Sequence, residues 1–282
     1  MSKSVERLGD FDLLEVSGVD AAAFLQSLLS NDLSELDGQT NAQWTALLSP
    51  QGRVIALMAL IRQSEQGFLL AVPRHFGASL LGSLRRYVLR RQVKLQQTSD
   101  LAVLGSLEAE PSAPGPRLTL GSRSGRHWYL APATAAERFP LAGTDWRRRD
   151  LEDGLAFLDA ETSGKFLAAA IGLPALPALS IGKGCYPGQE IVTRSHYLGK
   201  QKRHLALLEI SEPSGSPGPR SGASLHDPEG SHLGDVVAAE TEAGKTTLLA
   251  SLTDAGLVGK LLLPCREGGA VVAELRRVFE KT

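Results

Sequence analysis

Apolar positions in this chain follow two rhythms. Runs that alternate or stay apolar for six to nine residues predict strands at Phe11 to Val16, Gln43 to Ser49, Arg53 to Arg62 and Phe68 to Val72. Ser49-Pro-Gln-Gly52 lies between two of these runs and predicts the turn of a hairpin. A three-to-four-residue spacing predicts a helix after Asp20, a candidate cap, with Phe24, Leu25, Leu28 and Leu29 on one face and Asn31-Asp32 at its end. The same spacing predicts a longer helix over Arg74 to Arg91, with Phe76, Leu80, Leu84, Tyr87 and Val88 on its apolar side. Segments rich in Pro, Gly and Ser at Ala109 to Arg117 and Ser211 to Gly222 read as loops. Beyond them, Arg203 to Ile210, His232 to Ala239, Lys245 to Leu252 and Ala270 to Phe279 are short strands that predict a small barrel or sandwich. The fold class is therefore α+β, ending in an all-β domain.

Composition narrows the function. At 282 residues the chain is long enough for two or three subdomains. With 30 basic and 31 acidic residues, contact with a polyanion has to come from a local patch. Two such groups occur, Arg85, Arg86, Arg90, Arg91 and Lys94, and then Arg194, His196, Lys200, Lys202, Arg203 and His204. Solvated surface is the ordinary reading of a charge run; an RNA-binding module around Arg203 is the alternative. The two cysteines, Cys185 and Cys265, make no disulfide framework and imply a reducing compartment. The amino terminus lacks a signal peptide's apolar stretch, and the longest apolar tract, Phe166 to Gly182, is cut by Pro174 and Pro177. A cytoplasmic protein without a membrane segment is expected.

The densest chemical signal is Ile181-Gly-Lys-Gly-Cys-Tyr-Pro-Gly-Gln-Glu-Ile191. Gly182, Gly184 and Gly188 suit positive φ and close backbone approach, and a helix is expected to start near Gln189. Cys185 then lies just ahead of a helix start with Lys183 two residues away, a setting that favours a nucleophilic or metal-seeking thiolate. The rival reading is a buried structural cysteine in a tight loop. Neither His196 nor His204 has a spacing that marks a Cys–His pair, and no second metal-ligand pair accompanies Cys185. Gly182-x-Gly184-x-x-x-Gly188 misses the dinucleotide fingerprint. Gly244-Lys-Thr246 lacks the earlier glycine of a phosphate loop and follows Glu240 and Glu242. A second segment, Arg147-Arg-Arg-Asp-Leu-Glu-Asp-Gly-Leu155, carries Glu152. This carboxylate either accepts two hydrogen bonds from an amidine-like edge or pairs with Arg148 or Arg149 on a helix.

Lys183-Gly184-Cys185-Tyr186-Pro-Gly188-Gln189-Glu190, continued by Ile191-Val-Thr-Arg194, resembles the signature of the YgfZ-type folate-binding family, whose mitochondrial relatives are iron–sulfur assembly factors. Asp150-Leu-Glu-Asp-Gly154 and Glu161-Thr-Ser-Gly-Lys-Phe166 resemble that family's preceding elements in the same order, and Ser30-Asn-Asp-Leu33 and Trp44 to Gly52 resemble the amino-terminal run of the glycine-cleavage aminomethyltransferase. The resemblance implies a three-domain aminomethyltransferase-like architecture around a central channel. Residues 1–200 would form a folate-binding region of two interwoven α+β subdomains and 201–282 a β-barrel. It further implies tetrahydrofolate or a derivative as cofactor with its pterin near Glu152, Cys185 as the functional thiol, and iron–sulfur client or assembly proteins as partners. Cluster-dependent tRNA modification would be among the processes served. The transferase's catalytic aspartate is replaced at Ala56-Leu57. The chain is therefore expected to be an accessory protein rather than a conventional enzyme, the alternative being a one-carbon transferase with altered substrate.

Overall fold

A computed structural model describes residues 5–37, 39–197, 199, 202–211, 219–242, 244–264 and 270–280. Cys265 and Lys200 lie outside the described residues. The chain forms two compact units, each assembled from separate stretches: residues 1–47, 56–142 and 178–187 make the first, and 48–55, 143–177 and 188–282 the second.

The first unit is built on an antiparallel sheet of β2 (Phe11–Ser17), β3 (Ala42–Leu48), β4 (Val54–Arg62), β5 (Gly67–Pro73) and β6 (Lys94–Thr98), ordered β3-β4-β5-β2-β6. β3, β4 and β5 are almost continuously buried, which explains why their sequences show apolar runs rather than alternation. A smaller sheet, ordered β1-β7-β9-β8, joins β1 (Glu6–Arg7), β7 (Leu101–Ser106), β8 (Arg117–Leu118) and β9 (His127–Pro132). Trp128 of β9 meets Phe11 and Trp44 edge-to-face at centroid distances of 5.3 and 5.5 Å.

Two helices are shorter than their apolar spacing predicts. The first, α1, spans only Ala21–Gln26, and Asp20 makes no side-chain cap. The Asp20 carboxylate instead accepts a hydrogen bond from the backbone amide of Gln92 at 2.7 Å. The apolar residues beyond α1, Leu28 and Leu29, are buried all the same. The second, α2, spans Gly77–Arg85, after a single 3-10 turn at Arg74–Phe76. It stops before Tyr87 because the following turn places Leu89 at a φ of +50°, incompatible with a continuing right-handed helix. A four-residue helix, α3, covers Ala133–Ala136.

The second unit contains α4 (Thr144–Glu152), α5 (Gln189–Tyr197) and a closed barrel. The barrel strands are β10 (Arg203–Ser211), β11 (Ser224–His226), β12 (His232–Glu242), β13 (Lys245–Thr253), β14 (Leu261–Pro264) and β15 (Ala270–Phe279), ordered β10-β13-β12-β11-β14-β15 with β15 returning to β10. Closure settles the choice between barrel and sandwich. Its interior is aliphatic, with Leu208, Ile210, Leu225, Val236, Leu248, Leu252 and Leu263 buried together. On the outside, α4 packs against β12 and β13, so β13 is buried on both faces.

Candidate functional site around Cys185

The approach to the motif begins in a buried polar turn, Ser30-Asn31, in the first unit. The Ser30 hydroxyl donates to the Ala178 carbonyl at 2.7 Å and accepts from the Ala46 amide at 2.8 Å, and the Ser30 carbonyl accepts from the Ser180 amide at 2.9 Å. Asn31 donates its side-chain amide to the Trp44 carbonyl at 3.0 Å. These bonds fasten residues 178–180 to the end of β3 through groups whose own burial demands partners.

Lys183 extends the same seat. Only 5% of it is exposed, and its ammonium donates to the carbonyls of Leu29 at 2.6 Å and Asn31 at 2.9 Å. The ammonium also lies 5.2 Å from the centroid of the Tyr186 ring, which is buried, while the Tyr186 hydroxyl reaches the Ser180 carbonyl at 3.5 Å. Burial pushes the Tyr186 phenol up to about 12. Between these two inward anchors, Gly184 and Cys185 are exposed, and Cys185 is a free thiol. Lys183, two residues from the thiol, thus directs its ammonium into the interior, onto the Leu29 and Asn31 carbonyls.

That commitment has a titration signature. Burial lowers the Lys183 amine to about 8 from the 10.5 of a free lysine, with Asp32 acting in the opposite direction. Between those values the unfolded chain holds the proton that the folded chain has released, so this group favours folding progressively as pH rises from about 8 toward 10.5. The stability of the wild type minus that of Lys183→Met is expected to grow across that window. Urea midpoints of both proteins at neutral and alkaline pH check it; a difference that stays flat would deny the buried charge.

The carboxyl half of the motif belongs to the second unit. Gly188 has a φ of +79° and packs on the hairpin tip 49–52. A Cβ at Gly188 would lie 2.5 Å from the Ser49 carbonyl oxygen and 2.7 Å from Cα of Gly52. Gly52, at φ +72°, closes the turn whose amide bonds back to the Ser49 carbonyl at 2.9 Å. Gly182 and Gly184 differ: neither has a positive φ, and a Cβ at either meets nothing within 4 Å. Of the three glycines expected to serve close approach, only Gly188 does so within the chain.

Helix α5 starts at Gln189, as its sequence suggested, with Glu190 in its first turn and Arg194 and His196 in its last, each sign placed to complement the helix dipole. Gln189 is half-buried and Glu190 exposed. Glu152 ends α4. It is half-buried; its carboxylate pairs with Arg148 one turn earlier, and its carbonyl accepts from Arg277 at 3.2 Å. Arg148 also pairs with Asp145 and lies 3.8 Å from Glu242. The helix pairing foreseen for Glu152 is therefore present. Among the described residues no group of three His, Cys, Asp or Glu side chains is placed to hold a metal ion, and no helix is long and apolar enough to cross a membrane.

No family model matches the chain. Among curated proteins, an uncharacterized protein of Haemophilus influenzae is 30% identical over 205 residues, covering 72% of each chain. The tRNA-modifying protein YgfZ of Edwardsiella ictaluri is 29% identical over 236 residues, covering 73% of this chain and 70% of that protein. The mitochondrial iron-sulfur cluster assembly factor IBA57 homolog of Mycosarcoma maydis is 28% identical over 242 residues; the match takes in 76% of this chain and 58% of that longer protein. Among solved structures, the glycine cleavage system aminomethyltransferase T from Bartonella henselae superposes with a TM-score of 0.69 over 99% of this chain and 86% of that one, at 15% identity. That likeness establishes the fold. With relatives of these names along most of its length, the chain belongs to the family of the YgfZ and IBA57 proteins, built on the aminomethyltransferase fold.

Proposed function

We propose that this protein supports iron–sulfur enzymes, cluster-dependent tRNA modification among them, as a reduced-folate-binding accessory protein that presents Cys185 to a client. One observation carries the proposal. Lys183 and Tyr186 are drawn into the first unit by buried partners, while Gly184 and Cys185 between them are exposed. A loop held so firmly with its thiol outward suits contact with something outside the chain. The relatives named above, a tRNA-modifying protein and a cluster assembly factor, supply the process. The cluster is cargo: iron–sulfur clusters usually take four protein ligands, so a single thiolate shares one only with a partner that brings the rest. A free exposed thiol suits a reducing compartment, and the cytoplasm is the proposed location.

The fold likeness makes a reduced folate the candidate cofactor, and Glu152 offers a fit. Its carboxylate is half-buried, and its guanidinium partner Arg148 is also served by Asp145 and Glu242. Glu152 can therefore turn to a pterin's amino edge without leaving Arg148 unneutralised. When bound, the folate would supply one-carbon chemistry; Glu152 would orient its ring. Glu152→Ala is expected to weaken tetrahydrofolate binding by roughly 1.5–3 kcal/mol, the worth of a hydrogen bond to a charged group. Calorimetric titration decides it, and equal affinity of both proteins would exclude Glu152 from the role.

A further inference from the structure

In the second unit a cleft of about 590 Å³ opens beside the start of the barrel. Its floor is apolar, formed by Phe166, Leu167, Ala169 and Ala170. Its walls bring together Arg53, Lys165, Lys202 and Arg203 with a single carboxylate, Asp235. These cations come from three separate places: the hairpin tip, the segment after α4, and the two consecutive residues that lead into and open β10.

The lining of this cleft carries four cations and one carboxylate. Several arginines of the unit outside the cleft are matched: Arg147 with Glu240, Arg149 with Asp145, and Arg276 with Glu209 and Glu274. Inside the cleft only Arg203 is matched, to Asp235 at 2.9 Å. Asp235 is also fully engaged, accepting from Ser224 at 3.0 Å and facing His232 at 2.9 Å. Among the described residues no carboxylate lies within ion-pair distance of Arg53, Lys165 or Lys202, although all three are exposed on the same concavity. Arg53 uses its guanidinium to hold the Lys165 carbonyl, which fixes the two residues to one another. On the facing wall Gly222, at φ +80°, keeps the Lys165 amine uncrowded, since a Cβ there would lie 3.3 Å from Nζ. Like charges gathered in one concavity repel one another and raise the local positive potential; a bound anion relieves both.

We propose that this cleft binds a small amphipathic oligoanion, its apolar face on Leu167, Ala169 and Ala170 and its oxyanions at Arg53, Lys165 and Lys202. The volume fits one small molecule, since such pockets commonly measure about 300–1,000 Å³. Concavity and an apolar floor argue for such a ligand over a nucleic-acid backbone, which needs a charged track rather than a pocket. Phosphate esters and oligocarboxylates share the required chemistry.

Calorimetry on the full chain with two probes, adenosine 5′-diphosphate and benzoyl-triglutamate, tells the two sources apart. Binding of either is expected to weaken by about tenfold or more in Lys165→Glu and in Lys202→Glu, the scale of a lost charge-assisted contact. Lys260→Glu, an exposed cation outside the cleft, should leave binding unchanged. Both cleft lysines are exposed, so matching melting temperatures will show that the variants are folded. If neither probe binds, or if both charge reversals leave binding unaltered, the proposal fails. It also fails if a single-stranded oligoribonucleotide binds through these lysines while both small probes do not.

Discussion

Cys185→Ser protein is expected to melt at the wild-type temperature and yet fail to restore cluster-dependent enzyme activity in cells that lack the wild-type chain. The two halves of this expectation rest on different facts. Stability should hold because Cys185 is exposed, and surface substitutions away from special features usually stay within about 0.5 kcal/mol. The anchors on either side, Lys183 to Leu29 and Asn31 and Tyr186 against Lys183, do not involve the sulfur. Function should fail because a serine hydroxyl is neither a soft ligand for iron nor a thiol nucleophile. Melting curves and the activity of a cluster-dependent tRNA-modifying enzyme in complemented cells are the two measurements. Normal enzyme activity with the serine variant would reduce the motif to a structural element.

Gly188→Ala should be the most damaging single change in the motif, at roughly 2–4 kcal/mol. About 1–2 kcal/mol comes from forcing an L-side chain into the left-handed region. The rest comes from overlap with backbone that cannot swing aside: the new methyl would sit 2.5 Å from the Ser49 carbonyl oxygen and 2.7 Å from Cα of Gly52. Gly184→Ala is the matched comparison, four residues earlier in the motif and equally conservative chemically. With open space around it and no positive φ, it should change stability by less than about 0.5 kcal/mol. Urea midpoints of the two variants separate the cases. Equal midpoints would mean that the hairpin tip yields and that the contact is not a constraint.

The strands were the legible part of the fold. Gln43 to Arg62 announces its hairpin because the apolar runs are long and Ser49-Pro-Gln-Gly52 has turn chemistry, and the structure puts Gly52 in the left-handed region such a turn needs. The helices were less legible where tertiary partners took over. Asp20 looks like a cap but spends its carboxylate on Gln92, 72 positions away. The spacing through Tyr87 and Val88 looks helical, yet Leu89 reverses the chain and stays 87% exposed.

Within the site, Cys185 and its glycine-rich setting stood out in the sequence, whereas the direction in which Lys183 points did not. No periodicity governs an irregular loop, so which of its residues turn inward depends on remote acceptors such as the Leu29 carbonyl. Arg53 carried no signal of its own, and Lys165 stood out only as part of the resembling segment Glu161 to Phe166. Each is a single cation with no basic neighbour in sequence, and only folding brings them beside Lys202, which the sequence had placed in a basic group.

The barrel has no first or last strand. β10 is hydrogen-bonded to β13 on one side and to β15 on the other, and the remaining strands complete the ring. Peeling any strand away therefore breaks two ladders at once and uncovers the aliphatic interior, so fraying from an edge, the usual low-energy route to partial opening, is closed to this part of the molecule. Along β13, paired to β10 on one side and β12 on the other, no bare row of amides and carbonyls is left on which a foreign strand can be templated. Recognition at the doubly paired strands must then run through side chains and loops rather than through strand addition.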